Sequence, residues 1–343
     1  MNKSMNGATE LSTVVLALPK TESGELVEFY REFIRLLAGH IRQKILLLGG
    51  EREYEALQLE GDLYGQVEWR AEWGSMFDIW IRDYAPIISR KRDVSSTVNQ
   101  IYYPAYYPRT ELKKLGFTPF DPQEITLRLA ELLPAFPATA VTNGSLILDG
   151  GNFVSNRRGE AIISTRIFAD NPEWSRLAIE KELSRALGID RILFIGCEPG
   201  DETGHVDGVV RFADDQTVIV GRLPDEYIRP KAGLKREDYE ACRDYLNELA
   251  DELSASFKVV RLTDLPPLNK CKEGIPSAYG NYVNFFQCEN KLFVPQYHQP
   301  EADGQACEVL RNAFQDIQPV IVPVDCQVLS SYGGVLNCIT WEF

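Results

Sequence analysis

One pattern recurs along the chain: two strands joined by a tight turn, an amphipathic helix, then a short apolar strand. Residues 146–168 read as a hairpin broken at Arg158-Gly159. A helix follows, with Asn171 at its N-cap, Pro172 at its first position and Gly188 past its end, and then a strand at 192–195. Residues 205–220 read as a second hairpin, turning at Asp214-Asp215-Gln216, with a helix over 236–256 and a strand at 259–262. A third copy turns at Glu289-Asn290 within 281–294 and runs through a helix over 304–317 to a strand at 320–322. The fourth turns near residues 90–93 within 83–102, continues into a helix capped by Asp121 with Pro122 next, and ends at 138–141.

The remainder is split between the two ends. A strand is expected from Cys338 to Phe343, and the chain begins with a strand at 13–18, a helix over 25–38 and a strand at 45–48. Joined, these pieces make a fifth unit. Five ββαβ units closed by pairing the chain ends form a ring without a free joint. The expectation is one α/β domain over residues 1–343, with 1–11 a flexible N-terminal segment.

At 343 residues and 44% apolar, the chain can bury a large core, and its 50 acidic against 36 basic residues give a net charge of −14. That balance argues against nucleic acid as a partner and suits a cationic ligand. Seven cysteines, an odd number with no CxxC pair, suggest neither a disulfide framework nor a zinc ribbon, and fit a reducing cytoplasm. The apolar run Val14–Leu18 is too short for a signal peptide, and no stretch is long enough to span a bilayer. A cytoplasmic protein without membrane contact is expected.

The residues with chemical potential sit near the start of each hairpin, at intervals near one-fifth of the 343 residues: Asp83, Asp149, His205 with Asp207, Asn284 and Cys338. Each has a plainer reading when taken singly. Asp83 in Trp80-Ile81-Arg82-Asp83 reads as half of a surface Arg-Asp pair on an edge strand, Asp149 as a turn residue, His205 as a structural histidine and Cys338 as a small core residue. Their common phase sets those readings aside, because equivalent edges of a ring point at one axis. Strand alternation would put His205 and Asp207 on one face, and Gly333-Gly334 lets a ligand or backbone approach Cys338 closely. His40 and His298 do not share the phase and read as structural.

The strings Trp80-Ile-Arg-Asp-Tyr-Ala-Pro, Asp149-Gly-Gly-Asn, Gly204-His-Val-Asp-Gly-Val-Val-Arg-Phe, Tyr282-Val-Asn-Phe-Phe and Gly333-Gly-Val-Leu-Asn-Cys-Ile-Thr resemble the agmatine deiminase and bacterial peptidylarginine deiminase family, from about Val14 to the last residue. The resemblance implies the pentein fold, a five-bladed α/β propeller. It also implies hydrolysis of a guanidinium to a ureido group with release of ammonia, first of all agmatine to N-carbamoylputrescine, a step toward putrescine and polyamines. By position it makes Cys338 the nucleophile, His205 the general acid and base, Asp83 and Asp207 the carboxylates that grip the guanidinium, and Asp149 the partner of the histidine. Trp80 and Asn284 would line the substrate pocket. The chain departs from the family pattern at Ala85, where Gly is usual, at Asp149, commonly Glu, and at Asn337, commonly His. The Trp- and Pro-rich opening of agmatine enzymes is missing before Val14.

The chemistry supports these roles. A planar, resonance-stabilised cation must be fixed and its charge localised before its carbon is attacked, which two carboxylates can do. The nucleophile must be a thiolate, whose formation a bound cation and an imidazolium favour. The histidine then donates a proton to the leaving nitrogen and takes one from the attacking water. No metal or organic cofactor is needed. The expected partner is a small cationic guanidino substrate, with a homodimer as an allowed assembly. Peptidylarginine, free arginine or another guanidino compound stay open as substrates. An amidinotransferase using the same thioether, a metal site built from His205, Asp207, Asp83 and Cys338, and a non-catalytic binding ring stay open as alternatives.

Overall fold

The computed structural model describes residues 13–59, 62–71, 78–92, 94–103, 141–229, 234–267 and 277–343. Their strands form five separate small sheets. The N-terminal segment 1–11 and the fourth unit's helix at Asp121-Pro122 lie outside the described residues.

The first sheet joins the chain ends. β1 (Thr13–Ala17) leads through α1 (Gly24–His40) to the parallel strand β2 (Lys44–Leu48), and β3 (Val67–Arg70), a strand the repeat does not call for, adds beyond it. β4 (Ile87–Lys91), β5 (Val94–Ile101) and β6 (Val141–Ile147) make the second sheet. β7 (Val154–Ser155), β8 (Glu160–Ser164), α2 (Arg176–Leu187) and β9 (Arg191–Ile195) make the third unit. β10 (Val210–Phe212), β11 (Thr217–Arg222), α3 (Arg236–Ser254) and β12 (Lys258–Thr263) make the fourth, and β13 (Phe286–Cys288), β14 (Lys291–Gln296), α4 (Pro300–Ala313) and β15 (Val320–Asp325) the fifth. In each of these four sheets the first pair is antiparallel and the second parallel. β16 (Trp341–Glu342) pairs antiparallel with β1, with Val14 opposite Glu342, so the first sheet repeats the order across the chain ends.

The central strands explain why the units stack. Every residue of β1 and β8 is buried, as befits strands covered on both faces. The helices cover one side with a single apolar stripe: α1 buries Leu26, Val27, Tyr30, Phe33, Ile34 and Leu37, the spacing of one helix face. The largest core cluster contains α1 and β1, β14 with its neighbours, and Val335, Leu336 and Ile339, so apolar burial spans the two chain ends.

Two local expectations are corrected. The N-cap of α2 is Ser175, whose hydroxyl accepts the Ala178 N–H at 3.3 Å; Asn171 instead accepts the Ile147 N–H and donates to the Ile147 and Ile167 carbonyls, tying β6 to the next turn. Gly188 does end the helix, in the left-handed conformation. The starts of the hairpins are turns rather than strands. Asp83 lies on a short helix, Ile81–Tyr84, and Asp149 precedes a single 3₁₀ turn, Gly150–Asn152. His205, Asp207, Asn284 and Cys338 lie in irregular turns ahead of β10, β13 and β16, so the strand expected from Cys338 starts at Trp341. The reason is visible at Val206 and Asp207, whose N–H groups both donate to the Gly151 carbonyl, at 3.2 and 3.1 Å, which two consecutive residues of a strand cannot do.

Candidate active site

Those five turns are stitched to one another in a closed circuit. The Gly151 N–H donates to Asp83 Oδ1 at 3.2 Å, and the Asp207 N–H to the Gly151 carbonyl at 3.1 Å. Asn281 Nδ2 donates to the Gly208 carbonyl at 2.9 Å, and the Asn337 N–H to the Asn284 carbonyl at 3.2 Å. The Arg82 N–H returns to the Cys338 carbonyl at 3.1 Å. The structure thus brings the residues of common phase to one place.

Trp80, Asp83, His205, Asp207, Asn284 and Cys338 line a single cavity of about 470 Å³. Asp149 stands behind the histidine, its Oδ2 3.1 Å from His205 Nε2, while His205 Nδ1 lies 3.6 Å from Asp83 Oδ1. Two glycines permit this crowding. A Cβ on Gly150 would lie 2.0 Å from the Arg82 carbonyl oxygen, and one on Gly151 would lie 2.7 Å from both Asp83 Oδ1 and His205 Nδ1. Gly334 is flat against Trp80, where a Cβ would come within 2.5 Å of the indole. His40 and His298 lie elsewhere, the first against the Leu36 carbonyl and the second 3.0 Å from Asp325.

The electrostatics follow from burial among carboxylates. Burial disfavours the imidazolium of His205, but Asp83, the hydrogen bond with Asp149 and Asp207 outweigh it and push the pKa up to about 10. Burial first, then Asp149 and Asp207, raise Asp83, against the pull of the histidine. The Cys338 thiol is within reach of Asn284 Oδ1 at 3.4 Å and Asp207 Oδ2 at 3.9 Å. Burial, then Asp207 and Asp83, hold its pKa well above the usual thiol range.

Sequence reasoning missed several participants. Asn337, noted only as a departure, donates Nδ2 to Asp207 Oδ2 at 2.6 Å and its N–H to Asn284 Oδ1 at 3.0 Å, which fixes both groups beside the sulfur. Asp83 is not half of a surface pair: it is 6% exposed, and Arg82 turns its Nε to the Asn337 carbonyl at 3.2 Å. Glu198, Asp201, Asp238 and Asp264 also line the cavity. Burial, then Asp201 and Asp264, push Glu198 up to about 8, and burial pushes Asp264 up to about 8. The Cys-Glu-Pro-Gly-Asp run before His205 was the available signal, since it clusters acids next to a candidate catalytic turn.

Known proteins share this architecture. An agmatine deiminase from C. jejuni superposes with a TM-score of 0.74 at 21% identity, covering 97% of this chain and 93% of that one. The agmatine deiminase of Enterococcus faecalis gives 0.70 at 18%, covering 98% and 94%. These likenesses show the fold, the pentein five-bladed α/β propeller that the repeat and the resemblance led us to expect. In sequence, the agmatine deiminase of Medicago truncatula is 25% identical over 219 residues, 58% of this chain and 57% of that protein. That of Pseudomonas fluorescens is 24% identical over 219 residues, 57% and 56%. The chain thus spans little more than half the length of these two relatives. A sequence model of the Porphyromonas-type peptidyl-arginine deiminases matches residues 7–343. The chain belongs to that family.

Proposed function

We propose that this protein hydrolyses a guanidinium, releasing ammonia and leaving a ureido group, with agmatine as substrate and N-carbamoylputrescine as product. One observation carries the reading: the Cys338 thiol, the His205 imidazole and two buried aspartates line one cavity, with Sγ 3.9 Å from Asp207 Oδ2 and His205 Nδ1 3.6 Å from Asp83 Oδ1. Asp83 and Asp207 grip the flat cation, whose charge makes up for the proton Cys338 must lose. The thiolate attacks the guanidinium carbon, His205 passes its proton to the departing nitrogen, the C–N bond breaks, and ammonia leaves an amidino-thioether. Water then adds to that carbon, its proton passes to His205, the C–S bond breaks, and the thiol is restored. Asp149 holds the imidazole ring and favours its charged form.

The acidic lining of the cavity favours an amine tail over a carboxylate. Glu198, Asp201, Asp238 and Asp264 line it, and no Lys or Arg does among the described residues. A distal ammonium would pair with these acids and favour their ionised form, whereas the carboxylate of free arginine would find no cationic partner among them. Within the same reading the chain works as one catalytic domain in the cytoplasm. Among the described residues no helix is long and apolar enough to cross a membrane.

Incubation with agmatine, arginine and an arginyl peptide, following ammonia and the ureido product, tests the proposal. Agmatine is expected to turn over, and Cys338→Ala to be silent with all three. Ammonia release by the Cys338→Ala protein would overturn it.

A further inference from the structure

Two partly buried arginines near the nucleophile make no contact ion pair among the described residues. Arg82 donates its N–H to the Cys338 carbonyl at 3.1 Å and its Nε to the Asn337 carbonyl at 3.2 Å, so one residue holds two consecutive peptide oxygens at the nucleophile. Arg211 donates Nη1 to the Phe285 carbonyl at 3.1 Å, with its guanidinium 4.9 Å from the Phe285 ring. Phe285 follows Asn284, whose Oδ1 lies 3.4 Å from the Cys338 sulfur. Neither arginine has a carboxylate within 4.0 Å among the described residues, and neither lines the cavity, so neither is placed to touch substrate.

A partly buried cation without a close counter-ion loses solvation that its surroundings must offset with negative potential. Here burial pulls both arginines down, Arg211 to about 10, and the group that most offsets it in each case is Asp207, with Cys338 contributing to both. Formation of the Cys338 thiolate adds the negative charge that this pair lacks.

We propose that Arg82 and Arg211 are positioning residues that form a cationic clamp behind Cys338, fixing the carbonyls around the nucleophile and offsetting the charge of its thiolate. The proposal rests on Cys338 being the nucleophile. The charged groups that act on that sulfur are Asp83 from the short helix and Asp207 from the turn before β10, with Arg82 from the same short helix and Arg211 from β10 coupled to it in turn. Removing one cation leaves the carboxylates in excess and moves the thiol pKa further up.

The test needs no substrate. The rate of Cys338 alkylation by iodoacetamide is followed against pH by mass analysis of the peptide that carries it, in the wild-type protein, R211M and R211K, with thermal melts alongside. R211M is expected to move the midpoint up by about one pH unit, slowing alkylation roughly tenfold at any pH below it. R211K, which keeps the charge and loses the planar fork, is expected to keep the wild-type midpoint. Folded R211M with an unchanged midpoint overturns the proposal. If R211M does not fold, R211K and R82K decide, because a midpoint raised by a full unit in these charge-retaining variants refutes an electrostatic clamp. A protein that turns over no guanidine but shows these shifts fails the functional reading and not this one.

Discussion

Gly151→Ala is the sharpest test of how tightly the site is built. No positive φ is required at Gly151, so the backbone accepts alanine, and the whole effect comes from the added methyl group. That carbon would lie 2.7 Å from Asp83 Oδ1 and 2.7 Å from His205 Nδ1, where ordinary contact begins at 3.4 Å. Each group must therefore retreat by about 0.7 Å, and Asp83 cannot do so without stretching the 3.2 Å bond it accepts from the Gly151 N–H. Overpacking of this kind costs on the order of 1–3 kcal/mol of stability. On the proposed reading, a displacement approaching 1 Å of the two groups that would bind and protonate the substrate costs on the order of 10²-fold in rate, about 2.7 kcal/mol of barrier. Steady-state ammonia release from agmatine is expected to show that loss in kcat/KM while the protein stays folded at assay temperature. G151A with kcat/KM within twofold of wild type would refute the claim that Asp83 and His205 act from these positions.

Three further outcomes are expected. Asp149→Asn removes the carboxylate 3.1 Å from His205 Nε2, so the histidine pKa falls from about 10; kcat drops by about 10²-fold or more and the alkaline limb of its pH profile moves to lower pH. Glu198→Gln acts on stability: the folded pKa of about 8 lies above the unfolded value, so wild-type stability is lost as pH rises toward 8, and E198Q melts higher than wild type at pH 8.5 or so but not near pH 4. The same variant is expected to raise KM for agmatine. Gly304→Ala, in the exposed interior of α4 with open space at its Cβ, stabilises by about 0.5–1 kcal/mol in denaturant titration and leaves kcat unchanged.

What could be read from the sequence was whatever is decided locally. The turn at Arg158-Gly159 was legible because glycine there takes φ +80°, and the turn at Glu289-Asn290 because a polar pair interrupts two apolar runs. Gly188 announced the end of α2 for the same reason. The meeting of the five turns was legible from their common phase, but the local conformations that one unit imposes on another stayed hidden. Asn171 and Ser175 are equally good caps in isolation, and only the nearby edge of β6 claims the first. His205-Val206-Asp207 has strand spacing, yet the Gly151 carbonyl from another unit bends it into a turn. β3 escaped because Val67-Glu68-Trp69-Arg70 has no clear alternation and owes its form to pairing with β2. For Arg82 the sequence offers only the plainer reading of a surface pair with Asp83, since nothing local says that it faces the backbone at Cys338.

The charges at the sulfur explain why these particular residues must meet. Asp83 and His205 lie 3.6 Å apart, and each favours the charged form of the other. Asp207 and Asp83, after burial, oppose ionisation of the Cys338 thiol. On the proposed reading a guanidinium brings one positive charge among these carboxylates and pairs with them, so they no longer oppose ionisation of the thiol. Cys338, which burial and the two acids hold well above the usual thiol range, then loses its proton more readily. Binding and activation are then one event: a neutral guanidine analogue of the same shape would occupy the cavity without calling up the nucleophile, and a cation would do both.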